Sequence, residues 1–166
     1  GTISTDIFLH DTYWVVGHFH LTMAAAVFLG NFAGLYFWFP KMFGRQMNET
    51  LGKFHFWISF ITINLVFCGQ LVVGYGGMQR RLYDASWYHF LEHLFQMNQA
   101  ISYAAFALAA GQIFFVINWF HGVFAGKQAE ANPWQVGTLE WSLPSPPPHY
   151  NFKEIPTVHH GPHEFN

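Results

Sequence analysis

Charge is scarce in this 166-residue chain. Asp, Glu, Lys and Arg make up 10% of it, against about 25% in soluble globular domains. The formal net charge is −2, and no basic patch marks a nucleic-acid surface. Cysteine is nearly absent. The single Cys68 sits in an apolar run, which excludes a disulfide framework and leaves the redox compartment unread. There is neither an initiator Met nor a signal peptide ahead of the first apolar segment. The chain reads as the back portion of something longer.

Apolar surface is what the chain has instead. It is 52% hydrophobic and 20% aromatic, with 20 Phe and 7 Trp, more than a small soluble core hides. Three windows carry no Asp, Glu, Lys or Arg: Trp14–Phe39, Phe54–Gly77 and Leu94–Phe124. Each exceeds the roughly 20 residues that cross about 30 Å of hydrocarbon. The predicted class is therefore an all-α membrane protein with three transmembrane helices in residues 1–126. Pro40 is expected to stop the first helix, and Gly74, Gly76 and Gly77 to loosen the end of the second. Lys41, Arg45, Lys53 and the tail lysines lie on one side of the three spans, with only Arg80 and Arg81 on the other. The positive-inside rule puts the first loop and the C-terminus in the cytoplasm. Asn48-Glu49-Thr50 matches a glycosylation acceptor, but on this topology Asn48 or Thr50 serves as a helix cap.

Residues 127–166 differ in kind. "LPSPPPHYNF", Leu143–Phe152, cannot be helical and is expected to lie extended along a partner surface. "HHGPH", His159–His163, could bind a metal, although a solvated terminus is the plainer reading.

"HDTYWVVGHFH", His10–His20, is the segment that carries chemistry. Ionisable residues inside an apolar span are costly and point to function. In a helix, two positions turn the chain by roughly 200°, so His18 and His20 point to nearly opposite faces. One metal ion cannot take both. Imidazole is a haem axial ligand, and a helix lying between two flat macrocycles could present one histidine to each, with Phe19 between them. Gly17 leaves room for close approach. Neutral histidines bonded to neighbouring helices are the structural alternative. That bland reading serves equally for His55, Asn64, Gln70, Asn98, Gln99, Gln112, Asn118 and His121. His89, Glu92 and His93 read as solvated, and Asp84 as a partner for the arginines.

The same segment resembles the tenth-helix signature of subunit I of the haem–copper terminal oxidases, in particular the cytochrome c oxidases. "WFPKMFG" (Trp38–Gly44), "NETLGKFHFW" (Asn48–Trp57), "GGMQRR" (Gly76–Arg81) and "LEW" with "PSPPPHYNF" continue the resemblance in order to the C-terminal tail. It implies the last three helices of a twelve-helix bundle. By resemblance, His18 is the proximal ligand of a high-spin haem where oxygen binds, and His20 is an axial ligand of a low-spin haem. Phe19 lies between the two haems. Arg80 and Arg81 bind haem propionates, and His10 and Asp11 lie near a magnesium ion. Two haems, a-type by this likeness, are implied, with copper held by residues outside this chain. The departures are Trp14, where tyrosine is usual, and Gly17, where alanine is usual.

The function so implied is reduction of oxygen to water with electrons from cytochrome c, coupled to proton pumping. It would take place in a bacterial inner membrane, among lipid. The implied partners are the remainder of subunit I and a copper-bearing subunit II. A quinol-oxidising relative and a non-catalytic membrane dihaem electron-transfer protein are the alternatives, beside a transmembrane scaffold with unliganded histidines.

Overall fold

A computed structural model describes residues 3–157 and 161; "HHGPH" lies outside the described residues apart from Gly161. The chain is helical: α1 (Asp6–Leu9), α2 (Tyr13–Phe19), a π-helical turn (His20–Ala24), α3 (Ala25–Phe43), α4 (Glu49–Tyr75) and α5 (Phe95–Ala125). Short 3-10 turns cover Ala85–Trp87, His89–Leu94 and Leu139–Ser142. Among the described residues, β pairing is limited to isolated bridges at Thr12–Gln79 and Arg45–Gln128. Three helical stretches are long and apolar enough to span a membrane: Tyr13–Phe43, Glu49–Tyr75 and His89–Ala125. The charge-free windows thus find the three predicted spans.

Pro40 does not stop the first span. It lies inside α3, which continues to Phe43. A proline removes one ladder N–H from a helix but does not by itself end it. One turn later the Gly44 N–H closes on the Pro40 carbonyl at 2.8 Å. Gly44 sits at φ +65°, the left-handed position that ends helices. The end of α4 follows the glycines as expected. Met78 N–H donates to the Val73 carbonyl at 3.1 Å and Gly77 N–H to Gly74 at 3.1 Å. With Gly77 at φ +94°, these bonds form a Schellman motif. Val73 and Met78, its apolar pair, are fully buried.

Two compact units divide the chain: Gly1–Gly30 with Lys53–Phe114, and Asn31–Gly52 with Phe115–Asn166. The first unit is built on α4. Its core joins Val66, Val73 and Met78 to Leu91, Leu94 and Ile101. Glycines let the helices close up. A β-carbon on Gly17 would meet the Phe67 carbonyl oxygen at 2.6 Å, and one on Gly69 would meet Ile101 at 2.7 Å. A β-carbon on Gly74 would collide with the Trp14 backbone. His55, nearly inaccessible in this unit, shares a 2.9 Å hydrogen bond with Gln112 Oε1, and Gln112 Nε2 donates to Ser59 Oγ at 3.2 Å. Interhelical bonding is thus what these two polar residues do. Asn64 instead donates along its own helix to Phe60.

The second unit is tied by polar side chains to main chain. Asn48 caps α4 through Oδ1, which accepts from Leu51 N–H at 3.1 Å. Its own backbone is held by the buried Asn118, which accepts from Asn48 N–H at 2.8 Å and donates to Asn48 O at 2.9 Å. Lys41 is buried and donates to the carbonyls of Leu143 (2.6 Å) and Ala131 (3.0 Å). Its ammonium also lies 4.9 Å from the Trp141 ring centroid. Leu143 and Pro144, expected against a partner, therefore meet this chain's own α3 end. The cause is the need of a buried ammonium for acceptors.

Asn118→Leu leaves the Asn48 N–H unpaired, while the Asn48 carbonyl keeps the Gly52 N–H at 3.0 Å, and it makes no large change in volume. It should lower stability by roughly 1–3 kcal/mol, read as an earlier thermal denaturation midpoint than wild type.

Candidate functional site

The segment singled out by its histidines sits in the first unit, where the N-terminal loop and the loop after α4 are laced together. Tyr13 N–H donates to Met78 O and Arg80 N–H to Asp11 O, both at 2.9 Å. Thr12 caps α2, accepting from Trp14 N–H at 3.2 Å. Asp11 (φ +59°) and Arg81 (φ +67°) both occupy the left-handed region. Such backbone persists only where the surroundings over-determine it, and it clusters at functional sites.

Asp11, not Asp84, is the carboxylate that takes Arg80. Arg80 Nε donates to Asp11 Oδ1 at 2.8 Å, and Nη2 donates to the same oxygen. Asp84 instead caps the following turn through Ser86 N–H at 2.8 Å. The error has a physical source: Asp84 is near the arginines in sequence, whereas Asp11 reaches Arg80 only through the loop pairing. The Arg80 hydrogen bond holds the Asp11 carboxyl below its ordinary 3.8. On its other oxygen, Asp11 Oδ2 lies 3.5 Å from His10 Nε2, and His10 Nδ1 lies 3.8 Å from Asp6. His10 and Asp11, the expected magnesium residues, are thus adjacent and exposed. Among the described residues no group of three or more His, Cys, Asp or Glu gathers as a metal cluster. Arg81 is exposed.

Deeper in the span, His18 and His20 have different surroundings. His18 is exposed, and Phe19 is 51% exposed. His20 is half-buried. Its Nδ1 lies 2.7 Å from the Val16 carbonyl. A carbonyl only accepts, so Nδ1 carries the proton and Nε2 keeps its lone pair. The His20 ring stacks on Phe67 at 5.1 Å with 25° between planes, and meets Phe19 edge-on at 5.6 Å. A π-helical turn begins at His20, a feature frequent at functional sites. Gly17, expected to leave room beside His18, is filled by the α4 backbone at Phe67 and Leu71.

Residues 1–113 match the family described as Cytochrome C and Quinol oxidase polypeptide I. The chain belongs to this oxidase polypeptide I family. It is 44% identical over 99% of its length to "Cytochrome c oxidase subunit 1" of Synechocystis, of which it covers 29%. It is 43% identical over 92% of its length to the protein of that name from Alkalihalophilus pseudofirmus, covering 24% of it. For the Cereibacter sphaeroides subunit the figures are 41%, 92% and 27%. The chain therefore spans less than a third of the length of these oxidase subunits.

Within this oxidase segment, sequence reasoning named His10, Asp11, His18, Phe19, His20, Arg80 and Arg81 as candidates. It did not name Phe67 or the Val16 carbonyl, which the structure places on His20. Phe67 stands in a run rich in apolar side chains, and a backbone acceptor leaves no trace in sequence. The signal that could have found the contact is the glycine pair, Gly17 and Gly74, one on each helix.

The loop lacing has a pH sign. Arg80 depresses the folded-state pKa of Asp11, so its contribution is present above about 3.8 and lost as pH falls through the lower folded value. Protease nicking of the 9–12 and 78–82 loops in the membrane-embedded protein should rise below pH 3.8. In Asp11→Asn it should already be raised at neutral pH and should lack that acid step.

Proposed function

We propose that this chain is the C-terminal part of the catalytic subunit of a respiratory haem–copper oxidase. The whole enzyme reduces oxygen to water with electrons from cytochrome c and couples this to proton pumping. The observation that carries the reading is the pair His18 and His20, two residues apart and differently surrounded, inside the segment that matches the oxidase family. Its relatives named above are cytochrome c oxidase subunits, which favours cytochrome c over quinol as donor.

The donor chemistry fits haem. His20 has Nδ1 committed to Val16 O, which fixes the ring and leaves Nε2 basic, the arrangement metal-bound imidazoles use. In this reading His20 holds a low-spin haem, and His18, whose exposed ring has no hydrogen-bond partner among the described residues, holds a high-spin one. A haem iron supplies reversible one-electron transfer, with a potential set by its axial ligands and its surroundings. Phe19 lies between the two ligands in the chain and would stand between the two haems. Arg80 and Arg81 would neutralise the propionate carboxylates. Arg80 is already oriented by Asp11, and Arg81 is open to a ligand. Asp11 offers the hard oxygen a magnesium ion prefers, with His10 beside it. Copper would be held by residues beyond this chain. The broad exposed apolar faces of the three spans suit the remaining helices of a twelve-helix subunit I, a subunit II and lipid. Residues 1–126 would form the membrane part and 127–166 the tail, in a bacterial cell membrane. Lysine and arginine placement supports a cytoplasmic C-terminus.

In the complete oxidase, His20→Ala should first remove the low-spin haem spectrum, and His18→Ala should first remove carbon monoxide binding. Loss of one and the same haem signal by both variants, with the other haem intact, would contradict ligation to two haems.

Arg80→Lys and Arg81→Lys keep the charge but lose the planar fork that holds a carboxylate. Each should retain haem, slow electron transfer and shift a haem midpoint potential. Potentiometric titration of both haems reads this, and unchanged midpoints in the single and double variants would remove the propionate assignment.

A further inference from the structure

The surroundings of His20 point beyond ligation to a device that aims it. Three contacts converge on this one imidazole. The Val16 carbonyl, 2.7 Å from Nδ1, sets the ring's rotation from within its own helix. Phe67, from α4, lies against one ring face at 5.1 Å with 25° between planes. Phe19 closes an edge at 5.6 Å, nearly perpendicular. The Phe67 contact needs α2 and α4 to run close together. Gly17, one turn before His20, makes this possible: an added β-carbon would stand 2.6 Å from the Phe67 carbonyl oxygen and 3.0 Å from Leu71 N. The backbone that Gly17 admits is thus the backbone of the residue whose ring stacks on His20. At His20 the helix changes from α to π winding, so its own ladder holds the position less uniformly there. The Val16 bond anchors one ring nitrogen, and the Phe67 contact from outside the helix holds the ring face.

We propose that Phe67 is a positioning residue for His20, and that the Gly17–Phe67 backbone contact sets its register. In this scheme Phe67 acts through the His20 ring. It fixes the plane of the imidazole and hence how the ring is rotated about its bond to iron. That angle governs overlap between ligand and iron orbitals, which a low-spin haem reports in its electron paramagnetic resonance g-values. The proposal rests on His20 being an axial ligand.

The test uses the complete membrane oxidase with Phe67→Leu, Phe67→Tyr and Gly17→Ala. Phe67→Leu keeps apolar volume but removes the flat face. The expected result is full haem content, unchanged carbon monoxide binding at the other haem and shifted, broadened low-spin g-values. Phe67→Tyr keeps the flat face and should restore the wild-type signal. Gly17→Ala should shift the same g-values, and if it fails to assemble the two Phe67 variants still decide the matter. Wild-type g-values in Phe67→Leu, or an equal change in Phe67→Leu and Phe67→Tyr, would overturn the proposal. His20→Ala separates this from failure of the ligand assignment: a low-spin signal surviving in that variant rejects the ligand itself, whatever Phe67 does.

Discussion

The approach of α2 to α4 at Gly17 and Gly74 is the constraint on which the rest of the first unit depends. At both points one helix meets the other's backbone with no side chain between. Lipid tails are as apolar as leucine, so hydrophobic burial does little to hold two membrane helices together. Close packing through small residues does that instead. At this separation the ring of Phe67 reaches His20, and the loops beyond the helices come within backbone hydrogen-bonding distance. In this chain a β-carbon at Gly17 would stand 2.6 Å from the Phe67 oxygen and one at Gly74 would collide with Trp14 N, so either would force the facing backbone to shift.

Polar groups follow the same economy of partners. With no water in the hydrocarbon, a buried donor or acceptor must find a mate on a neighbouring helix or on its own. His55 finds Gln112, Asn118 finds the backbone of Asn48, and Asn64 turns back on Phe60. These residues looked alike in sequence as polar interruptions of apolar windows. Their roles separate only when it is known which of them faces a helix. The buried Lys41, read in sequence as a topology charge, is also a fastening for the tail, because its ammonium is met by carbonyls from residues 131–144.

Much of the site was legible because membrane chemistry penalises ionisable side chains so heavily that those present stand out. His18 and His20 in a charge-free window, and Arg80 with Arg81 after a glycine turn, needed no coordinates to be noticed. Asp84 was the wrong partner because proximity along the chain is a poor guide once loops pair across the ends of two helices. Pro40 was the wrong stop because a proline costs a helix one ladder hydrogen bond without ending it, and the left-handed turn that ends α3 comes at Gly44.

By itself the sequence determined three spans, the end of the second at its glycines, and which histidines and arginines stand out as candidates. These follow from local rules: length against hydrocarbon thickness, the left-handed freedom of Gly77, and the cost of a charge in lipid. Tertiary structure alone decided that Asp11 holds Arg80, that α4 fills the space at Gly17, and that Phe67 lies on His20. Each joins residues some 50 to 70 positions apart. Contacts of that range depend on the distance and angle at which two helices cross, and helical periodicity carries no record of either.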